Sequence, residues 1–346
     1  MGFLFLTILL TFIQPSFAAH QPVYRGKIAV FQGSEPIAIE VELPRFSDGY
    51  LRTDQFHFAN LPSTIKPDEN GCICYTLDDD RFVFVHTFYY AVRMIEDYNK
   101  IFKRLALALP QTLEWTLAQD PDSPTSGFTE LIKGTLRYPK PALDPSTLAH
   151  EIGHWIHYSA AGRDHFGSAN PFELARALTK GVEEGSANFL AALYTGITRI
   201  GKYDSYEFDT DIDRFVRFPD HVPSTKKGLE DLAQNKFSQF AFHYPKFFAS
   251  LQSMLDTLPA NPIAAEYLNL PDPYRASSAF TQPVWAASVI YGTDILKMIY
   301  VKALSQLNQD QNYTYQDLTR ALRDVAAEFN PEVGNYLSQE FALRGI

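Results

Sequence analysis

Apolar and polar positions change rhythm along this chain, and each change marks an element. Between residues 23 and 85 the apolar residues fall in short runs, 27–31, 37–41 and 81–85, set apart by Gly33, Pro36, Pro44, Gly49, Pro62, Asn70 and Gly71. Runs of that length between turn formers predict strands, so the N-terminal third reads as mostly sheet. Over residues 88–109 the spacing becomes helical, with Val92, Ile95, Ile101 and Leu105 on overlapping faces and Pro110 closing the run. Residues 131–138 predict a strand stopped by Pro139 and Pro141. A helix follows, with Asp144 as N-cap and Pro145 at the first helical position, where its missing N–H costs nothing, and it runs to about Ser159. Asn170 and Pro171 open another helix reaching Tyr194, which Gly181 and Gly185 weaken locally. Beyond Gly196 the chain reads as helices joined by proline-containing loops, and residues 314–317 ahead of Leu318, Leu322 and Val325 mark one more helix start.

The first 18 residues carry no charged side chain and end in Ser16, Phe17 and Ala18, with small residues at the −3 and −1 positions of a signal-peptide cleavage site. Their apolar run stops near Ile13, short of the roughly 20 residues a spanning helix needs. The expectation is a mature chain from about Ala19, secreted or otherwise periplasmic or extracellular, with no stable membrane insertion after cleavage. A hydrophobic content of 46% suffices for one large domain or two subdomains sharing a cleft. The net charge of −10 argues against nucleic acid as a partner. Cys72 and Cys74 are the only cysteines; one residue apart in a strand, they share a face without the separation a relaxed disulfide usually needs. They read as half-buried strand residues, with neither a disulfide scaffold nor a zinc ribbon implied.

The chemistry lies in the helix that Asp144 opens. His150, Glu151 and His154 form an H-E-x-x-H pattern, and residues four apart lie on one helical face a turn from each other, so both imidazoles can converge on one ion. Glu151, one position round the helix, projects beside that ion, where it can take a proton from water instead of coordinating. Leu148, Ile152, Trp155 and Ile156 form the core stripe of an amphipathic helix whose other face shows both histidines. His157 reads as a partly exposed helix residue outside the site. A catalytic zinc usually has three protein ligands and one open position, so a third is owed. Position 160, where a metzincin would place its third histidine, is alanine; residues 181–188 supply two carboxylates, Glu183 and Glu184, inside the next helix.

H-E-x-x-H followed by a helix carrying E-G-x-A resembles the gluzincin peptidases, which include thermolysin-like, fungalysin-like and aminopeptidase families. The resemblance implies an α+β, zincin-like fold, with a sheet-containing N-terminal subdomain, a helical C-terminal subdomain and the active-site cleft between them. It implies Glu184 as third ligand to one Zn²⁺ per chain, with Glu183 where the family often has Asn, and Asn188 where a carboxylate orients a ligand histidine. It also implies a Tyr or His near the scissile carbonyl, for which Tyr291 is the first candidate and His165 the second. The segments become a signal peptide (1–18), a β-rich segment (19–80), a catalytic subdomain (81–200) and a helical subdomain (201–346). The step of 30 positions from His154 to Glu184 exceeds the thermolysin-like gap, and no G-x-M-E-N segment precedes the motif, which argues against recognition of a free amino terminus.

The expected function is therefore zinc-dependent hydrolysis of a peptide or protein substrate, with Glu151 as general base and the strand at 131–138 as the edge on which an extended peptide lies. Two rivals stand beside it: an aminopeptidase-like hydrolase, and a non-catalytic secreted interaction protein with a structural zinc.

Overall fold

The computed structural model describes residues 23–46, 50–117, 128–130, 135–138, 143–161, 174–201, 212, 273–307, 315–344 and 346. Strands β1 (Arg25–Gln32) and β2 (Glu35–Glu42) form an antiparallel hairpin whose two-residue turn holds Gly33 at φ 69°, the left-handed conformation glycine enters at no steric cost. The short β4 (Cys72–Ile73) pairs parallel to the other edge of β1. Beyond that pairing α1 (Phe82–Arg104) takes over: Ala29 N–H donates to His86 Nδ1 at 3.0 Å, and the Tyr90 hydroxyl donates to the Ala29 carbonyl at 3.4 Å.

Residues 81–85 are thus no strand. Arg81 is the N-cap of α1 and residues 82–85 its first turn, and Phe82, Val83, Phe84 and Val85 are all buried. A run buried on every side lacks the alternation that separates strand from helix. The start signal is Asp79, whose Oδ1 accepts the Arg81 N–H at 2.9 Å and whose carbonyl accepts that of Phe82 at 2.8 Å. The helix also stops early. Ala106 adopts φ 54°, Leu107 N–H reaches the Phe102 carbonyl and Ala106 N–H that of Lys103, a Schellman ending without its usual glycine. Cys72 and Cys74 depart from expectation too: they are joined in a disulfide with Cα atoms 5.3 Å apart, because the chain bends after the two residues of β4.

His86 is fully buried, and burial pushes its imidazole down to about 3 from 6.5, against an upward pull from the Leu143 backbone. The native state therefore requires neutral His86, whereas the unfolded chain protonates below its ordinary value. This contribution is complete above about pH 6.5 and is lost progressively as pH falls towards 3. By about pH 5 the loss is on the order of 2 kcal/mol. Denaturation midpoints of wild type and His86→Gln at neutral and acid pH measure it, and the variant is expected to show the shallower pH slope.

A second sheet has the order β3 (Phe56–Phe58), β5 (Leu113–Leu117), β7 (Thr135–Tyr138), β6 (Phe128–Glu130). The first three are parallel and β6 is antiparallel to β7. Part of the strand expected at 131–138 is present as β7, but it lies inside the sheet; β6, too short to register in the sequence, takes the edge. Leu113, Trp115 and Leu117 alternate inward along β5. From β7 the chain enters α2 (Pro145–Ala161), followed by α3 (Leu174–Thr195), α4 (Pro273–Tyr291), α5 (Thr293–Ser305), α6 (Tyr315–Phe329) and α7 (Pro331–Arg344). Among the described residues one hydrophobic core runs from Leu43 to Phe341 and includes Leu318, Leu322 and Val325 of α6. The architecture is mixed α and β, with helices predominating. The signal segment and the helix start at Asn170 and Pro171 lie outside the described residues.

Candidate metal centre

Asp144 caps α2 as its position suggested: Oδ1 accepts the Ser146 N–H at 2.7 Å and the Ser146 hydroxyl at 2.6 Å. The same hydroxyl oxygen accepts the Gly201 N–H at 3.0 Å, tying the start of α2 to the chain just beyond α3. The helix is not amphipathic in place. It packs against α1, α3 and α5, and Leu148, Ile152, Trp155 and Ile156 are buried on one side while His150, Glu151 and His154 are buried on the other. His157, expected at the surface, is 0% exposed for the same reason.

Helices α2 and α3 run antiparallel, since His150 meets Asn188, Gly153 meets Ala187, His154 meets Glu184 and Tyr158 meets Glu183. Their backbones come close at Gly153, where a Cβ would stand 2.7 Å from the Ala187 carbonyl oxygen and 2.8 Å from its Cα. Glycine there lets the two backbones touch. On α3, Gly185 makes room for α4: a Cβ would stand 2.8 Å from that of Ser277 and against the Phe280 ring. The helix continues through both Gly181 and Gly185.

That approach assembles the group expected from the sequence. His150 Nε2 and His154 Nε2 are 3.1 Å apart, and Glu184 Oε2 lies 3.3 Å from the first and 3.4 Å from the second. Ligands about 2.0–2.2 Å from a tetrahedral ion stand roughly 3.3–3.6 Å from one another, so both Glu184 distances match and the imidazole pair, slightly closer, lies near the corners of one such site. The other nitrogen of His150, Nδ1, donates to Asn188 Oδ1 at 2.7 Å, which fixes the tautomer and leaves Nε2 as a donor to metal. Burial presses the His150 pKa down, but the hydrogen bond and charge of Glu184, the charge of Glu151 and the Asn188 contact together outweigh it, and the pKa is raised. His150, His154 and Glu184 are 5%, 4% and 4% exposed, so this is a buried group able to hold a metal ion.

The chain matches no protein-family model and no curated protein sequence.

Glu151 is buried beside the triad and is not one of its three close donors. Tyr291 is placed elsewhere. Its ring packs on Tyr336 at 5.9 Å, and it lies eleven residues along α4 from Phe280, the contact with Gly185, an axial offset of about 16 Å. The structure does not bring it to the triad, and His165 lies outside the described residues. A second cluster of potential donors, Glu40, Cys72 and Cys74, has its sulfurs joined and Glu40 paired with Arg25 at 2.6 Å. What the sequence did not reveal is the pairing of Tyr158 with Glu183, although Tyr158 stands one turn beyond His154.

The geometry separates the two adjacent glutamates. Elemental analysis after purification should find Glu184→Ala far more depleted of metal than Glu183→Ala; the reverse ranking would make Glu183 the ligand.

Proposed function

We propose that this chain is a secreted zinc-dependent peptidase of the gluzincin kind, with a zincin-like fold. One observation carries the reading: two imidazole nitrogens and a carboxylate oxygen spaced for one tetrahedral ion, with the buried carboxyl of Glu151 one residue from His150. Two histidines and one glutamate with an open fourth position is a donor set typical of catalytic zinc. A zinc ion held by His150, His154 and Glu184 supplies Lewis-acid polarisation of a carbonyl and acidifies water. Glu151 does the proton work, accepting a proton from water on its carboxylate and delivering it to the leaving amine. Asn188 keeps His150 in the tautomer that presents Nε2. Strand β6, the edge on this side of the described sheet, is where the backbone of an extended peptide substrate can add by strand pairing.

The test is metal content combined with cleavage of an unfolded protein. About one zinc per chain, activity lost to a chelator and activity restored by zinc support the reading. No zinc in carefully purified protein and none taken up on titration would refute it.

A further inference from the structure

Two side chains that the proposed chemistry leaves unused lie against the metal group from the far end of the helix pair. Tyr158, one turn beyond His154 on α2, lays its ring beside that of His154, with centroids 6.4 Å apart and planes inclined by 19°. Its hydroxyl donates to Glu183 Oε2 at 3.1 Å, and Glu183 precedes Glu184 on α3. Tyr158 is 7% exposed and Glu183 2%, so the bond is shielded from water. A buried carboxylate this close to two others is costly to retain, and a hydrogen-bond donor aimed at it offsets part of that cost.

Resting on the reading of the triad as a metal centre, we infer that Tyr158 and Glu183 are positioning residues that set the register of α3 on α2, and hence the placing of Glu184 against the two histidines. The two antiparallel helices pack along their length, with backbone against backbone at Gly153 and Ala187, and hydrogen-bonded side chains on either side of that contact set their register. The His150–Asn188 bond restrains one side of it, and the Tyr158–Glu183 bond restrains the other. The ligand atoms lie between the two ties. Ligand spacing tolerates only a few tenths of an ångström of error, so loss of either tie is felt as metal affinity. The Tyr158 ring, lying nearly parallel to that of His154, also limits rotation of the imidazole.

The experiment is cobalt(II) titration of the full chain, read by the visible absorption of the bound ion and by competition with a chelator. Wild type is compared with Tyr158→Phe and Glu183→Gln. Tyr158→Phe keeps the ring and loses the bond, and its dissociation constant should rise about 10–100-fold with an altered cobalt spectrum. Glu183→Gln keeps a carbonyl oxygen able to accept from the tyrosine, and should bind within about threefold of wild type with the wild-type spectrum. An equal loss in both variants would show that the carboxylate acts through its charge, and wild-type affinity in Tyr158→Phe would remove the tie altogether; either overturns the positioning role alone. Absence of cobalt uptake by folded wild type overturns the metal centre, and this inference with it. Thermal melting of the metal-free variants close to wild type identifies any loss as one of placement rather than of folding.

Discussion

On the proposed reading, Glu151→Gln is expected to keep its metal and its fold while losing peptidase activity by about 10²–10⁴-fold, on the order of 3–5 kcal/mol of barrier. The side chain sits in the wall of the metal group and is not one of the three close donors, so an amide of the same shape fits without disturbing the ligand distances. It cannot accept a proton from water, and it has none to return to the leaving amine. The loss should appear in kcat with little change in KM, because the group acts on the reacting atoms rather than on substrate binding. Cleavage of an unfolded protein, with zinc measured in the same samples, checks this. If zinc-replete wild type cleaves nothing and the variant binds zinc as tightly, the chain is a zinc-binding interaction protein, and Glu151 has no chemical task.

Gly153→Ala is expected to destabilise the protein by about 1–3 kcal/mol and to weaken metal binding at least tenfold. The sign makes the prediction specific, since in an unconstrained helix interior the same change stabilises by roughly 1 kcal/mol. The new methyl meets backbone atoms of Ala187 at 2.7 and 2.8 Å, and backbone cannot rotate away as the end of a long side chain can. Helices α2 and α3 must part, and the ligands on each part with them. Chemical denaturation and zinc titration report the two effects separately; a stabilised variant with unchanged zinc affinity would show that the helices do not touch there.

The features legible in the sequence were those fixed by neighbouring residues. The strand runs on either side of Gly33, the cap at Asp144 and Pro145, and the helical spacing of His150 and His154 are local, and all three appear as expected. The partnership of His150 with Asn188, and of both histidines with Glu184, followed from a motif resemblance, and the structure brings these groups together. What failed depends on the surroundings. Residues 82–85 are enclosed on all sides, so hydrophobicity alone does not distinguish helix from strand there. The burial of His157 follows from the packing of α1, α3 and α5 around α2, which no periodicity within α2 encodes. The edge position of β6 is set by strand order, and the end of α1 by an alanine in a conformation usually left to glycine.

The antiparallel arrangement of α2 and α3 also bears on how the intervening chain can vary. The donors are aligned by contacts between the helices themselves, at Asn188, Ala187 and Glu183. For a flexible connection, the entropy of bringing two helices together grows only logarithmically with its length, by about 0.6 kcal/mol for each doubling. The length of a connection between helices tied in this way therefore bears little on the ligand set. A separation between His154 and Glu184 longer than in thermolysin-like enzymes is compatible with the same three-donor geometry.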